Sequence, residues 1–353
     1  MVFSYYINYP FYNLLWYIFK SFRKKKLHIV YCETAFDMIL FKNVGKHLND
    51  IKIVAKNRKV KNEIKALGYK QVSIMPSFPD SVIMFRNMAW KFPCKKITKI
   101  GFKHGAYNFK RHSKAEYYNM FDLFFLTSSS EVEIVKNLGV TTMLDVAYPK
   151  VDSIYDGSIT AEDLRLLSGI IGLDPDKKTV LFSSTWDGSG MSAIDVWYDK
   201  LSLLTDKYNI LVTVHDWVSE KYKDVLKKNR DVFFIEEIDR LKYIMLADVC
   251  VSDTSSMIAE MCLLGKPLIT FKVNNTARTL IETVKLIEKV SVGVGCFDEL
   301  ENTVERLILN PEMFAKERQE VCEIMFDKPD GQSGKRAAER IRQELEDLED
   351  SNF

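Results

Sequence analysis

Proline and glycine are scarce in this chain of 353 residues, at 9 and 15, which excludes collagen-like and low-complexity classes. The six cysteines (32, 94, 250, 262, 296, 322) include no CxxC pair and no histidine at ligand spacing. Neither a disulfide framework nor a zinc site is expected, and the thiols read as reduced and mostly buried in a cytosolic protein. Charge of one sign is not in excess: 50 Lys+Arg against 48 Asp+Glu leaves +2, so no nucleic-acid partner is expected. No uncharged, evenly apolar run reaches the roughly 20 residues of a spanning helix. Nucleotide fingerprints are missing as well. GQSGKR lacks the Walker spacing and a preceding strand, GVGCF is only a two-glycine fragment, and there is no serine nucleophile elbow. LDPDKK (173–178) reads as a turn before a strand, so no metal and no cofactor are expected.

What is there is a globular composition, 47% apolar and 28% charged, long enough for two domains. The chain opens on MVFSYYINYPFYNLLWYIFKSFRKKK, crowded with aromatics and uncharged before Lys20. A signal peptide would carry its positive charge first. Aromatic rings favour the headgroup level and Arg23–Lys26 attract anionic lipid. Residues 1–26 therefore read as a segment with a helix from about Phe11 to Phe22 lying on the cytoplasmic membrane face. The competing account is a helix docked on the protein core. SVIMFRNMAWKFPCKK (81–96) has the same mixture and reads either as a second membrane-facing patch or as a half-buried domain helix.

From Leu27 onward, apolar runs alternate with amphipathic stretches. LHIVYCE, IKIVA, QVSIM, ITKIGF and LFFLTS read as strands, and after a turn-rich stretch at 148–160 come TVLFSST, NILVTVH, VFFIE, DVCVSD and PLITF. VKNEIKALGY and EVEIVKNLGV between them have helical spacing and a closing glycine. The fold class is α/β with parallel βαβ units. The expected division is 1–26, a first Rossmann-like domain at 27–155, a second at 156–325, and a charged C-terminal helix at 326–353.

Ligands of open α/β sheets sit outside the carboxyl ends of the strands. Four runs end there in reactive residues: IGFKHG, LFSSTWDG, LVTVHDW and VCVSDTSS. His104 and His215 stand at two such ends, each either a general base or a histidine satisfied by its turn. Gly105 permits close approach, and Lys110 and Arg111 make that loop positive. After Ser252, Asp253 or Thr254 is placed to cap a short helix, SSMIAEMCLL, that closes at Gly265. The amides and hydroxyls of Ser255 and Ser256 would then face an anion, and Glu260 a ribose. Capped junctions of this kind occur in most α/β proteins, so the spacing alone does not decide between a ligand site and a structural cap.

HGAYNFK (104–110), STWDG (184–188), VHDW (214–217), YIMLADVCVSDTSSMIAEMCLLGKPLITF (243–271) and FDKPDGQSGKRAAERI (326–341) follow in that order. Together they resemble the CDP-glycerol glycerophosphotransferases, the teichoic-acid polymerases and primases of bacterial envelopes. The resemblance implies a GT-B architecture, two Rossmann-like domains facing a cleft, and transfer of glycerol or ribitol phosphate from a CDP-alditol to a membrane-linked hydroxyl. It implies His104 as the base. Thr185, Trp186, His215, Ser255 and Ser256 would hold the donor, in a pocket organised by Ser252, Asp253, Thr254 and Glu260. Asp330 and Gly331 with Arg336 or Arg340 would close over it, and Gly105, Lys110 and Arg111 would meet the acceptor. The chain departs from the family pattern at Asp216, where proline is usual, and at Thr254, where tyrosine is typical. A nucleotide-sugar glycosyltransferase on the same scaffold and, further off, a UDP-sugar 2-epimerase are the alternative readings.

Overall fold

The short β-branched and aromatic runs become strands of two separate parallel sheets. The computed structural model describes residues 2–107, 111–274, 276, 279–327 and 329–350, with the side chains of 9–346 among them. The chain forms two units. One is built from residues up to His104, from Ser113 to Ser158, and from Phe326 onward; the other comprises Gly105–His112 and Ile159–Met325. The C-terminal piece thus belongs to the first unit.

The first unit holds β1 (His28–Cys32), β2 (Ile51–Ala55), β3 (Val72–Ile74), β4 (Ser81–Met84), β5 (Thr98–Phe102), β6 (Leu123–Leu126) and β7 (Met143–Val146). They lie in the order β3-β2-β1-β4-β5-β6-β7, and every pairing is parallel. The second unit holds β8 (Lys178–Ser184), β9 (Tyr208–Val214), β10 (Phe233–Phe234), β11 (Val249–Ser252), β12 (Leu268–Phe271) and β13 (Val292–Val294). Their order is β10-β9-β8-β11-β12-β13, again all parallel. Central strands such as β5, β11 and β12 are buried along their whole length, as helices on both faces of a parallel sheet require. In each sheet the strand order reverses once, between β1 and β4 and between β8 and β11. Those two points are where such sheets bind ligands.

Two expectations need correction. The stretch 81–96 is neither a membrane patch nor a domain helix. Its first residues are β4, a 3₁₀ turn spans Ala89–Lys91, and Phe85, Phe92 and Cys94 are buried. The N-terminal helix runs Val2–Ser21 with Pro10 inside it, longer than expected, and one face docks on the first unit. Trp16 is buried, its Nε1–H donating to the Pro79 carbonyl at 2.6 Å, and the Tyr12 hydroxyl donates to the Ser77 carbonyl at 2.6 Å. Phe19 stacks on Phe78 and Arg23 pairs with Asp80 at 3.3 Å. Its other face leaves Phe11 68% exposed, with Leu14 and Ile18, and Phe22, just past its end, is 82% exposed. Among the described residues no helix is long and apolar enough to cross a membrane.

Candidate active site

At the switch point of the second unit, the ends of β8 and β11 lie side by side, with Phe182 opposite Val251. Ser183 and Ser252 join their hydroxyls at 2.9 Å. Beyond them the Asp253 carboxylate accepts from the Thr185 amide at 3.0 Å, the Ser184 hydroxyl at 2.9 Å and the Ala193 amide at 3.2 Å. Burial pushes its pKa up against the pull of these donors. Asp253 is therefore spent inside the protein, tying β11 to the loop after β8. The Thr254 hydroxyl extends the tie to the Met191 carbonyl at 3.2 Å.

Neither Asp253 nor Thr254 caps the following helix, contrary to the expectation from spacing. The helix is Met257–Leu263, Ser256 takes the cap position without a side-chain cap bond, and the Ser255 hydroxyl accepts from the Met257 amide at 3.3 Å. The physical reason is competition: the Asp253 carboxylate already has three donors from the β8 side. Ser255 is 9% exposed, whereas Ser256 is exposed. Glu260 is buried in the first turn, which suits an organising role better than direct contact with a ribose. The helix ends at Gly265 as expected, with φ +66° and bonds from Gly265 to Cys262 and from Lys266 to Met261, the Schellman pattern.

The segment that follows His104 reaches this place. His104, exposed, follows β5, and the chain enters the second unit at Gly105. A Cβ on Gly105 would stand 3.5 Å from the Ser256 hydroxyl. The strand end behind His104 is anchored: the Lys103 amide donates to the Phe125 carbonyl at 3.1 Å, and its ammonium pairs with the buried Glu131 carboxylate. Arg111 is exposed, and Lys110 lies outside the described residues.

His215 is exposed at the end of β9. Its Nδ1 accepts from the Trp217 amide at 3.1 Å, which leaves the ring proton on Nε2 as a donor. The Trp217 ring lies 5.4 Å from His215 and edge-on to Trp186 at 5.7 Å. Asp216 turns to Arg240 at 3.3 Å. Trp217, 68% exposed, was missed as a candidate. The signal was an aromatic at a strand end beside a histidine. Asp187 was missed as well; it accepts from the Ser219 amide at 2.9 Å and joins the loops that carry Trp186 and His215.

Asp330, Gly331 and Arg336 belong to the first unit, unlike the serines. Arg336 donates to Asp330 at 2.7 Å, Gly331 has φ +75°, and the Asp152 carboxylate holds the Gly334 amide at 2.6 Å. Arg340 bonds Glu344 at 3.1 Å. Among the described residues, no three His, Cys, Asp or Glu side chains are grouped to hold a metal.

Two parallel α/β units, each with one strand-order reversal in its sheet, define a GT-B-like fold. The particular family follows from comparison. The model of the CDP-glycerol:poly(glycerophosphate) glycerophosphotransferase family matches residues 92–343, and this chain belongs to that family. It is 26% identical over 142 residues to a teichoic acid poly(ribitol-phosphate) polymerase of Bacillus spizizenii. Over 138 residues it is 25% identical to a teichoic acid poly(glycerol phosphate) polymerase of the same organism. Each alignment takes in 37% of this chain but only 22% and 35% of those relatives. The solved wall teichoic acid polymerase TagF shares the fold with a TM-score of 0.67 and 14% identity, covering 91% of this chain and 89% of that one.

Proposed function

We propose that this protein transfers an alditol phosphate, glycerol phosphate or ribitol phosphate, from a CDP-alditol to a hydroxyl of a membrane-linked envelope acceptor, releasing CMP. The observation that carries the reading is the approach of Gly105, the residue after His104, to Ser256 in a chain of this family. His104 takes the proton of the acceptor hydroxyl. The freed oxygen attacks the alditol-bearing phosphorus, its bond to the bridging oxygen breaks, and that electron pair leaves on CMP. Charge on the phosphoryl oxygens meets the His215 Nε2–H and the Ser255–Ser256 turn, donors already in place before reaction.

The exposed aromatic face of the N-terminal helix, followed by Arg23–Lys26, would hold the protein to anionic lipid as a peripheral protein of the cytoplasmic face. Retention there raises the local concentration of a lipid-linked acceptor. The test is incubation of the full chain with CDP-glycerol, CDP-ribitol and a set of UDP-sugars in the presence of membranes. CMP release dependent on acceptor is the expected result; UDP release alone would replace this reading with a glycosyltransferase.

A further inference from the structure

The first unit has its own strand-order reversal, between β1 and β4, and a cluster of charge stands at it. Just beyond β1, the Glu33 carboxylate receives two ammonium groups, Lys56 from the end of β2 and Lys91 at 2.6 Å. The Glu33 and Thr34 amides donate to Asp37 at 2.7 and 3.1 Å. Two residues beyond β4, Arg86 bonds Asp37 at 3.3 Å and the Thr34 hydroxyl at 3.2 Å. These are bonded links in one chain, so the cluster is continuous.

Three cations face two carboxylates. One lysine would neutralise Glu33, and an exposed second one such as Lys56 contributes little to stability. Burial opposes ionisation of Glu33, but bonds from Lys56, Lys91 and Tyr31 outweigh it and hold its pKa down at about 2. Burial pushes the Asp37 carboxyl up, against the pull of Arg86 and the Thr34 and Glu33 amides. A half-buried surplus of positive charge at the ligand-binding edge of a parallel sheet suits an anion.

The position selects which anion. β4 and β5 are neighbours, with Met84 opposite Gly101, so Arg86 and His104 follow adjacent strands roughly 5 Å apart. All six residues also precede the stretch matched by the family, which begins at residue 92. We propose that Arg86, with Lys56 and Lys91, binds a phosphate group of the acceptor, a few bonds from the hydroxyl presented to His104. The site selects acceptors that already carry an alditol phosphate. This inference rests on the transfer reading above.

Kinetics with two acceptors, one ending in a glycerol phosphodiester and one identical but phosphate-free, test it. Removing the phosphate raises the acceptor KM about tenfold or more for the native chain, the value of a charge-assisted bond. Arg86→Gln raises KM by a similar factor for the phosphorylated acceptor only, Arg86→Lys restores part of it, and donor KM is unchanged. Lys56→Gln, at an exposed position, shows the same selectivity at roughly threefold should Arg86→Gln fold poorly. Equal losses with both acceptors, or none, overturn the proposal. A donor-free arm separates its failure from that of the transfer reading. Titration of the full chain with inorganic phosphate and with glycerol 3-phosphate should give binding that Arg86→Gln weakens about tenfold. Binding that Arg86→Gln leaves unchanged, or no binding to the native chain, overturns the site even if CMP release is robust.

Discussion

Gly105 and Ser256, 151 positions apart in the chain, meet closely enough that a Cβ on Gly105 would stand 3.5 Å from the serine hydroxyl and 3.7 Å from its Cβ. The residue after the candidate base therefore sits against the turn that would receive a phosphate. Ordinary van der Waals contact accommodates one methyl group; a longer side chain would have to displace Ser256. Gly105→Ala should keep kcat/KM within about threefold, whereas Gly105→Leu should lower it about a hundredfold, the cost of a misplaced reacting group. Steady-state CMP release across this pair checks the contact. Equal activity of the two variants would mean the space is not used.

His104 and His215 should fail in different ways. His104→Ala is expected to reduce turnover at least about a hundredfold, the usual contribution of a positioned base, with CDP-glycerol affinity nearly unchanged. His215→Ala should instead weaken donor binding about tenfold through loss of its Nε2–H. Calorimetric binding beside single-turnover kinetics distinguishes the two; persistence of activity within a few-fold in His104→Ala removes it from the base role.

The two faces of the N-terminal helix should separate in experiment. Trp16 is buried and bonded to Pro79, so Trp16→Ala should cost about 3–5 kcal/mol of stability. Deleting residues 1–26 would remove part of the first unit's core. Joint replacement of Phe11, Leu14 and Phe22 by serine touches only exposed positions and should change stability by about 0.5 kcal/mol or less. Cosedimentation with anionic vesicles should fall in this triple variant; undiminished binding would place the lipid contact elsewhere.

The Glu33 cluster gives stability a pH dependence. Its carboxyl has a folded pKa of about 2 against an ordinary 4.5. The folded state therefore binds this proton less readily than the unfolded state, and the contribution is fully present above 4.5. It is lost as pH falls from there through about 2. Denaturant midpoints measured down this range should show a slope that Glu33→Gln reduces. An identical slope in both proteins would mean Glu33 is not held by its lysines.

Much of the architecture was readable because buried parallel strands write themselves as apolar runs. β2 coincides with IKIVA, and β12 with the end of PLITF. β4 escaped because SVIM runs on into a basic, aromatic stretch that ends in a 3₁₀ turn at Ala89–Lys91. β7 is a half-exposed strand containing Asp145, and β13 is a three-residue strand with a central glycine; neither carries enough apolar signal to stand out. Helix punctuation at Gly265 was local chemistry and could be read locally.

The residues themselves determined the fold class, the reactive strand ends and the family, since each depends on neighbours in sequence or on motifs in order. Only the tertiary structure decided which strand ends become neighbours. β8 lies beside β11 and β1 beside β4 through hydrogen bonds between segments far apart in the chain. Adjacency of that kind diverted Asp253 from helix cap to internal tie, turned Trp16 inward from an aromatic run, and gathered Glu33, Lys56, Arg86 and Lys91 into one cluster. A side chain's work depends on its nearest donors and acceptors, and here those arrive from distant parts of the chain.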